Sequence, residues 1–336
     1  MVAVSPSPSE LRDQIDRWLE GFLADRSQAV PDAGDLIAEI ARVVRLGGKR
    51  LRPTFCYWGY RATGHSHDDR IVAAAASLEL LHTFALVHDD IMDSALVRRG
   101  EKTTVAAHGS DIALLTGDLA LVLADEGFMT SGFDAETLAR GFGVYSRMRH
   151  EVIAGQYLEL VTSTKEAPSE EEARRVAALK SGFYSVAEPV TIGAVLGGAS
   201  ETIVDSVRAY GLPLGEAFQL RDDLLGTFGD PDVVGKPVDS DIREGKRHLL
   251  FVKALARASD DDRAVLLRDW GRADLSPDEV EHLRSILVGS GAVTDIEALI
   301  QRLASAAREA LDSVEIDTQA RAALGSLIDS VVSRES

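Results

Sequence analysis

Apolar residues recur at spacings of three and four along most of the 336 residues, and no alternation of period two lasts long enough for a strand. A chain patterned in this way buries one stripe of each helix against another helix. The residues used agree with the pattern. Ala, Leu, Val, Glu, Asp and Arg dominate, aromatics make up only 6%, and the 45% of hydrophobic residues can fill a large core. The spacing predicts helices over 8–25, 33–45, 53–63, 68–96, 110–130, 134–163, 169–199, 201–228, 244–258, 277–289 and 292–334. An all-α fold is expected, a single large helical bundle. No repeat or linker composition divides it, so one domain is expected over 8–336, after a disordered tail over 1–7.

Several helix starts carry their own chemistry. Ser169 with Glu172 forms a capping-box pattern, and Ser276-Pro277 places a proline in a first turn. The segment from Gly229 to Lys246, with two Pro, three Gly and eight charged residues, is expected to be an ordered functional loop or a lid. A formal charge of −18 repels nucleic acid and anionic membranes, so an anionic substrate would need a local basic island. The single cysteine, Cys56, excludes an internal disulfide framework and a cysteine-rich zinc site; it suits a reducing cytoplasm and a place in the core. The start shows no secretory pattern, and the best apolar run, Phe183 to Gly198, is broken by Glu188 and Pro189, so no integral membrane protein is expected.

Four constellations point to chemistry. In HDDIMD, Asp89 and Asp93 are four residues apart and project from one helix face, with Asp90 beside them. Carboxylates so placed repel one another unless a cation intervenes, and magnesium takes such hard oxygen ligands together with substrate phosphates. Taken alone, the cluster fits a solvated acidic face equally well. A second cluster, FQLRDDLLG, sets Asp222 and Asp223 in another apolar helix with Gln219 on the same face. Two such clusters suggest facing helices that share metal ions, as in the cores of helical bundles. The third is the basic island RLGGKRLRP, with Arg45, Lys49, Arg50 and Arg52 beside two glycines. At a helix start it could hold a diphosphate, or it could be a solvated turn. The fourth, VRRGEKT, places Arg98 and Arg99 just past the first aspartates, where they could bind phosphate or merely neutralise carboxylates. His82 lies seven residues before Asp89 on nearly the same helix stripe.

In this order, GGKRLRP, DDxxD followed by RRG, GQxxE, FQxRDD and GKPxxxDxxxGK resemble the trans-prenyltransferases, the head-to-tail polyprenyl synthases that include farnesyl and geranylgeranyl diphosphate synthases. The resemblance runs from Gly47 to Lys246. It implies the all-α isoprenoid synthase fold with a central cleft, and condensation of isopentenyl diphosphate with an allylic diphosphate (dimethylallyl, geranyl or farnesyl). It implies that Lys49, Arg52, His82 and Arg99 hold isopentenyl diphosphate while Arg98 holds the allylic diphosphate. Asp89, Asp93 and Asp222 would ligate magnesium, three ions per site with manganese as a substitute, supported by Asp90, Asp223 and Glu159. Lys180, Lys236 and Lys246 would steady the leaving group, and Ser181 and Gln219 would lie beside the developing cation. A homodimer in the cytoplasm is expected.

Two positions depart from the family pattern. Gly226 stands where many relatives carry a third aspartate in the second motif, which predicts weaker or altered metal affinity. Glu159 stands where GQxxD is commoner, with the same charge and one methylene more reach. The helix running back from Asp89 also carries the family's chain-length positions, with Phe84 five residues and Ala85 four residues before it and Leu81 on the same face. One aromatic at the fifth position and no insertion in DDxxD resembles the geranylgeranyl pattern; farnesyl or longer products are the alternative, and Phe84 could also simply pack in the core. Two rivals differ in class. A class I terpene cyclase should lack the second diphosphate site, and an inactive regulatory subunit should have lost aspartates from the motifs.

Overall fold

The computed structural model describes residues 5–229 and 239–333. Its contacts group into two units. One is built from Met1–Tyr145, Pro189–Asp205 and Glu315–Ala323, the other from Ser146–Glu188, Ser206–Val314 and Leu324–Ser336. Most of these boundaries fall inside helices, which is why no linker composition marks them.

In chain order the helices are α1 (Pro8–Ala29), α2 (Gly34–Arg45), α3 (Leu51–Ala62), α4 (Asp69–Met92), α5 (Thr104–His108), α6 (Ser110–Met129), α7 (Ala135–Ser163) and α8 (Glu170–Ala177). A π-helical stretch, Ala178–Ala187, leads into α9 (Glu188–Leu196) and α10 (Glu201–Phe228). Then follow α11 (Ser240–Arg243), α12 (Leu249–Arg257), α13 (Asp260–Asp269), α14 (Pro277–Gly289), α15 (Ala292–Asp312) and α16 (Thr318–Val332). The capping boxes at Ser169/Glu172 and Ser276/Glu279 form as expected. A third, Ser7 with Glu10, starts α1, and Ser5 hydrogen-bonds Gln319, so residues 5–7 are ordered rather than tail.

In the first unit α4 packs chiefly on α6, and also on α3 and α1. Its residues from Ile71 to Leu81 are buried on every face, as befits a helix apolar all round. This helix, rather than 183–198, is long and apolar enough to cross a membrane, but 78% of its most apolar window is buried inside the protein. Glycines let neighbouring backbones meet: a Cβ at Gly59 would overlap the Val190 carbonyl of α9, and one at Gly193 would overlap that of Cys56. Cys56 is accordingly core. The expected helix over 68–96 stops at Asp93, because Ser94 turns the chain with φ of 51°.

A two-stranded hairpin, unforeseen in the sequence, follows. Val97–Arg98 (β1) pairs antiparallel with Glu101–Lys102 (β2), and Arg99-Gly100 forms the turn with φ of 54° and 78°. Strands of two residues leave too little alternation to detect.

In the second unit the expected helix over 169–199 is interrupted. The π-helical stretch precedes Pro189, which has no N–H for a helical bond, and its wider turn closes with Glu188 N–H donating to the Phe183 carbonyl. Gly182 meets Gly215 of α10 backbone to backbone, and Gly155 of α7 gives the same close approach to Lys180. The segment over 292–334 likewise divides into α15 and α16, since the Asp317 carboxylate accepts from the N–H groups of Gln319 and Ala320 and begins a new helix.

Candidate active site

The first acidic motif sits on the last turn of α4, where the helix ends against the hairpin. Asp90 is the buried member at 4% exposure, while Asp89 and Asp93 are partly open. Arg98 leans back from β1 onto them: its Nε donates to Asp90 Oδ1 at 2.8 Å, and its Nη2 lies 2.7 Å from Asp90 and 3.4 Å from Asp89. Burial pushes the Asp90 carboxyl up, and the Arg98 guanidinium opposes that push. Of the two arginines that the resemblance gives to phosphate, Arg98 is therefore engaged with the aspartates.

Arg99 turns the other way. Its Nη1 donates to the Gly47 carbonyl, and a Cβ at Gly48, whose φ is 143°, would stand 3.1 Å from Nη2. The double glycine of the basic island is thus shaped around an arginine from the distant RRG motif. Arg50 is an anchor: buried, with φ of 49°, it donates to Asp16 at 2.7 Å, Glu79 at 2.8 Å and the Val44 carbonyl at 2.8 Å. That leaves Lys49 and Arg52 on either side of a fixed residue, at the start of α3, whose first turn has no side-chain cap. Burial first, then the charges of Arg52, Arg99, Arg98 and Arg50, hold His82 well below its ordinary pKa, so it is a neutral imidazole among guanidiniums. The non-glycine residues with positive φ among the described residues, Arg50, Ser94 and Arg99, all border this site. Such backbone strain, about 1–2 kcal/mol each, persists where surrounding structure demands it.

Further back on α4, Phe84 and Leu81 are buried and Ala85 is half-buried. The Phe84 ring meets the His88 ring edge to face at 4.8 Å. His88 in turn fills the space left by Gly117 on α6 and donates from Nε2 to the Leu114 carbonyl at 3.1 Å. Phe84 is therefore braced through His88, a residue of the HDDIMD motif that sequence reasoning did not single out.

The second motif lines a pocket of about 150 Å³ inside the second unit, together with Glu159, Lys180, Gln219 and Lys246. Gln219 Nε2 donates to Asp223 Oδ1 at 2.7 Å, Lys180 Nζ donates to Glu159 Oε2, and Lys246 Nζ lies 2.7 Å from Glu244 and 3.6 Å from Asp241. Burial, then the negative charges of Asp241, Asp222 and Glu159, push the Asp223 carboxyl up to about 8. Ser181 is buried in the π-helical stretch, adjoining Lys180. Lys236 lies outside the described residues. Asp241, Arg247 and His248 also line the pocket and were not foreseen, although Asp241 is the aspartate of the GKPxxxDxxxGK pattern.

The donors available for a metal are carboxylate oxygens. Among the described residues no three Asp, Glu, His or Cys side chains already form a cage for an ion. That combination suits magnesium, which binds through one or two carboxylates and completes its shell with phosphate and water. The like-charge crowding at Asp223 is the arrangement a divalent cation would relieve.

The polyprenyl synthetase family model matches residues 35–287. The chain belongs to that family. A polyprenyl synthetase is a prenyltransferase enzyme, an isoprenyl diphosphate synthase, and the relatives agree. A Corynebacterium glutamicum geranylgeranyl pyrophosphate synthase, whose crystal structure is complexed with isoprenyl diphosphate and magnesium, superimposes with a TM-score of 0.94 at 34% identity over 98% of this chain and 100% of that one. The geranylfarnesyl diphosphate synthase of Aeropyrum pernix is 33% identical over 94% of this chain and 99% of its own length. The geranylgeranyl diphosphate synthase of Sulfolobus acidocaldarius is 36% identical over 70% of this chain and 71% of its own. This polyprenyl synthetase therefore has the isoprenoid synthase fold that its motifs implied.

Proposed function

We propose that this enzyme joins isopentenyl diphosphate to an allylic diphosphate and releases geranylgeranyl diphosphate. The observation that carries the product assignment is the aromatic stop on α4: Phe84 is buried, five residues before Asp89, and held in place through His88. The small Ala85 leaves the turn above it open to a growing chain.

In this reading Lys49, Arg52, His82 and Arg99 hold the diphosphate that is retained, and Asp89, Asp93 and Asp222 would hold magnesium. Three magnesium ions, replaceable by manganese, would supply the charge that draws electrons from the allylic carbon–oxygen bond. Arg98 and the lysines Lys180, Lys236 and Lys246 stabilise the departing diphosphate. Gln219 and Ser181 present neutral dipoles to the allyl cation, which the alkene of isopentenyl diphosphate attacks. A proton then passes to the departing diphosphate, so no protein nucleophile is consumed. Neutral His82 donates one hydrogen bond to phosphate without adding a fourth positive charge to those of Lys49, Arg52 and Arg99.

A cytoplasmic homodimer completes the proposal. It is supported by a stripe of exposed apolar side chains on α6, with Ile112, Leu115, Val122 and Met129 between 40% and 60% exposed.

The test is product analysis after incubation with magnesium, isopentenyl diphosphate and each allylic primer in turn. A C20 diphosphate is expected, with turnover abolished by excess chelator. A C15 or C25 main product would overturn the length assignment, and full turnover in chelator would overturn the metal role.

A further inference from the structure

Lys49 can bind a substrate only if its backbone is held, and the residues before it hold little. Gly47 and Gly48 have φ of 82° and 143°, conformations that glycine enters and leaves at low cost. The constraint comes from the other side, at Arg50, which caps α3 in a left-handed conformation with φ of 49° and whose carbonyl accepts from Thr54 N at 3.0 Å. A residue with a Cβ stays in that conformation only while its surroundings keep it there. Three elements do so through its side chain: Asp16 of α1 accepts from Nε at 2.7 Å, Glu79 of α4 from Nη1 at 2.8 Å, and the Val44 carbonyl near the end of α2 from Nη2 at 2.8 Å. Three acceptors fix the plane of the guanidinium as well as its position. Arg50 and Glu79 are buried, whereas the Asp16 side chain is 34% exposed. Asp16 is nonetheless carried rigidly, since Ile15 and Leu19 on α1 are wholly buried. α1 precedes residues 35–287, the span of the family match, so no motif points to it.

We propose that Asp16 is a positioning residue for isopentenyl diphosphate: through Arg50 it sets the angle at which Lys49 and Arg52 meet the diphosphate. Residue 50 lies between the two, so a rotation of its backbone turns Lys49 relative to the first turn of α3, which carries Arg52. Without the Asp16 carboxylate Arg50 keeps its buried pair with Glu79, and the fold survives. Its Nε is then released, and the left-handed residue is free to relax. The proposal rests on the reading that the basic island binds isopentenyl diphosphate. The two roles open to Asp16 differ in sign. A carboxylate near an anion site repels the anion, so a purely electrostatic role makes Asp16→Asn bind substrate more tightly, whereas a positioning role makes it bind more weakly.

The experiment is steady-state kinetics of the full chain with each substrate varied in turn, alongside thermal unfolding. Asp16→Asn should raise the KM for isopentenyl diphosphate by roughly three- to tenfold, leaving kcat and the allylic KM within about twofold of the parent. Asp16→Glu, which restores a carboxylate on the exposed side of Arg50, should return that KM to within about twofold of the parent. An unchanged or lowered KM for isopentenyl diphosphate in Asp16→Asn overturns the proposal. So does a rise shared equally by both substrates, a glutamate variant no better than the asparagine one, or a lower Tm with no selective change in KM, which is the mark of a bond that serves stability alone. Asp16→Ser, which leaves room for water at Arg50 Nε, repeats the test should the asparagine variant not fold. Lys49→Ala separates the two levels. If it leaves the KM for isopentenyl diphosphate unchanged, or moves both KM values alike, the assignment of the basic island fails; if it raises that KM selectively while Asp16→Asn does not, only the role of Asp16 fails.

Discussion

The two acidic motifs look alike as strings of aspartates, yet their surroundings are opposite in charge. At the end of α4 the buried carboxylate, Asp90, is met by a guanidinium, and His82 is kept neutral by burial and then by four nearby arginines. In the pocket of the second unit the buried carboxylate, Asp223, accepts a hydrogen bond from the Gln219 amide, and burial, then the charges of Asp241, Asp222 and Glu159, push its pKa up to about 8. The first region is a cationic bed that can receive an anion. The second crowds several carboxylates around Asp223, with Lys180 and Lys246 paired to Glu159, Glu244 and Asp241 at its edge. Desolvation makes both imbalances matter, since a charge out of water must be answered by a neighbour or by a ligand.

The comparison would break most visibly at the aspartates themselves. We expect Asp89→Ala and Asp222→Ala each to lower kcat by about 10²-fold or more, the scale of losing a stabiliser of transition-state charge. Steady-state turnover with saturating primer measures this, and near-normal kcat in either variant would remove that aspartate from the metal site.

Next in size is the split between the two substrates. Lys49→Ala or Arg52→Ala should raise the KM for isopentenyl diphosphate by about tenfold, with a smaller change for the allylic primer, because the cationic bed serves the diphosphate that does not leave. Equal shifts in both KM values would show that the bed is not selective. Arg50→Ala is expected to differ in kind. It leaves Glu79 buried without its partner, so the loss should appear first as a lower Tm.

A subtler effect concerns the floor beside the first motif. Phe84→Ala should shift products toward longer chains, read by chromatography of the hydrolysed alcohols. Gly117→Ala should shift them in the same direction, since its methyl group would displace His88 and release the ring of Phe84. An active Phe84→Ala enzyme with an unchanged product profile would take Phe84 out of the floor.

The smallest expected effect is a pH dependence of stability at His82. Its pKa is depressed in the folded state, so below the ordinary value of about 6.5 the unfolded chain takes up a proton that the folded chain refuses. Stability should fall as pH drops below about 6.5, by at most about 1.4 kcal/mol per pH unit from this group, and be flat above it. Thermal unfolding of the parent and of His82→Gln between pH 5 and 8 checks the sign. An identical acid slope in both proteins would place its origin elsewhere.

What the sequence by itself determined is what short-range chemistry controls. Helical periodicity, the capping boxes at Ser169 and Ser276, and the projection of Asp89 and Asp93 from one helix face all depend on residues within a turn or two of one another. Gln219, Asp222 and Asp223 were legible from their spacing on one helix, Glu159, Lys180 and Lys246 only through the resemblance of their motifs, and the fold gathers all six into one pocket. Other features were decided only by tertiary structure. The string GGKRLRP does not say that Arg50 is sequestered by Asp16 and Glu79 while Lys49 and Arg52 flank it, nor does VRRG say that Arg98 turns to the aspartates and Arg99 to the Gly47 carbonyl. The close backbone approaches of the π-helical stretch to α7 at Gly155 and to α10 at Gly215 are recorded by no local spacing. Which of several like charges is paired, and which space a missing side chain leaves to another, depends on partners remote in sequence, and only the folded chain supplies them.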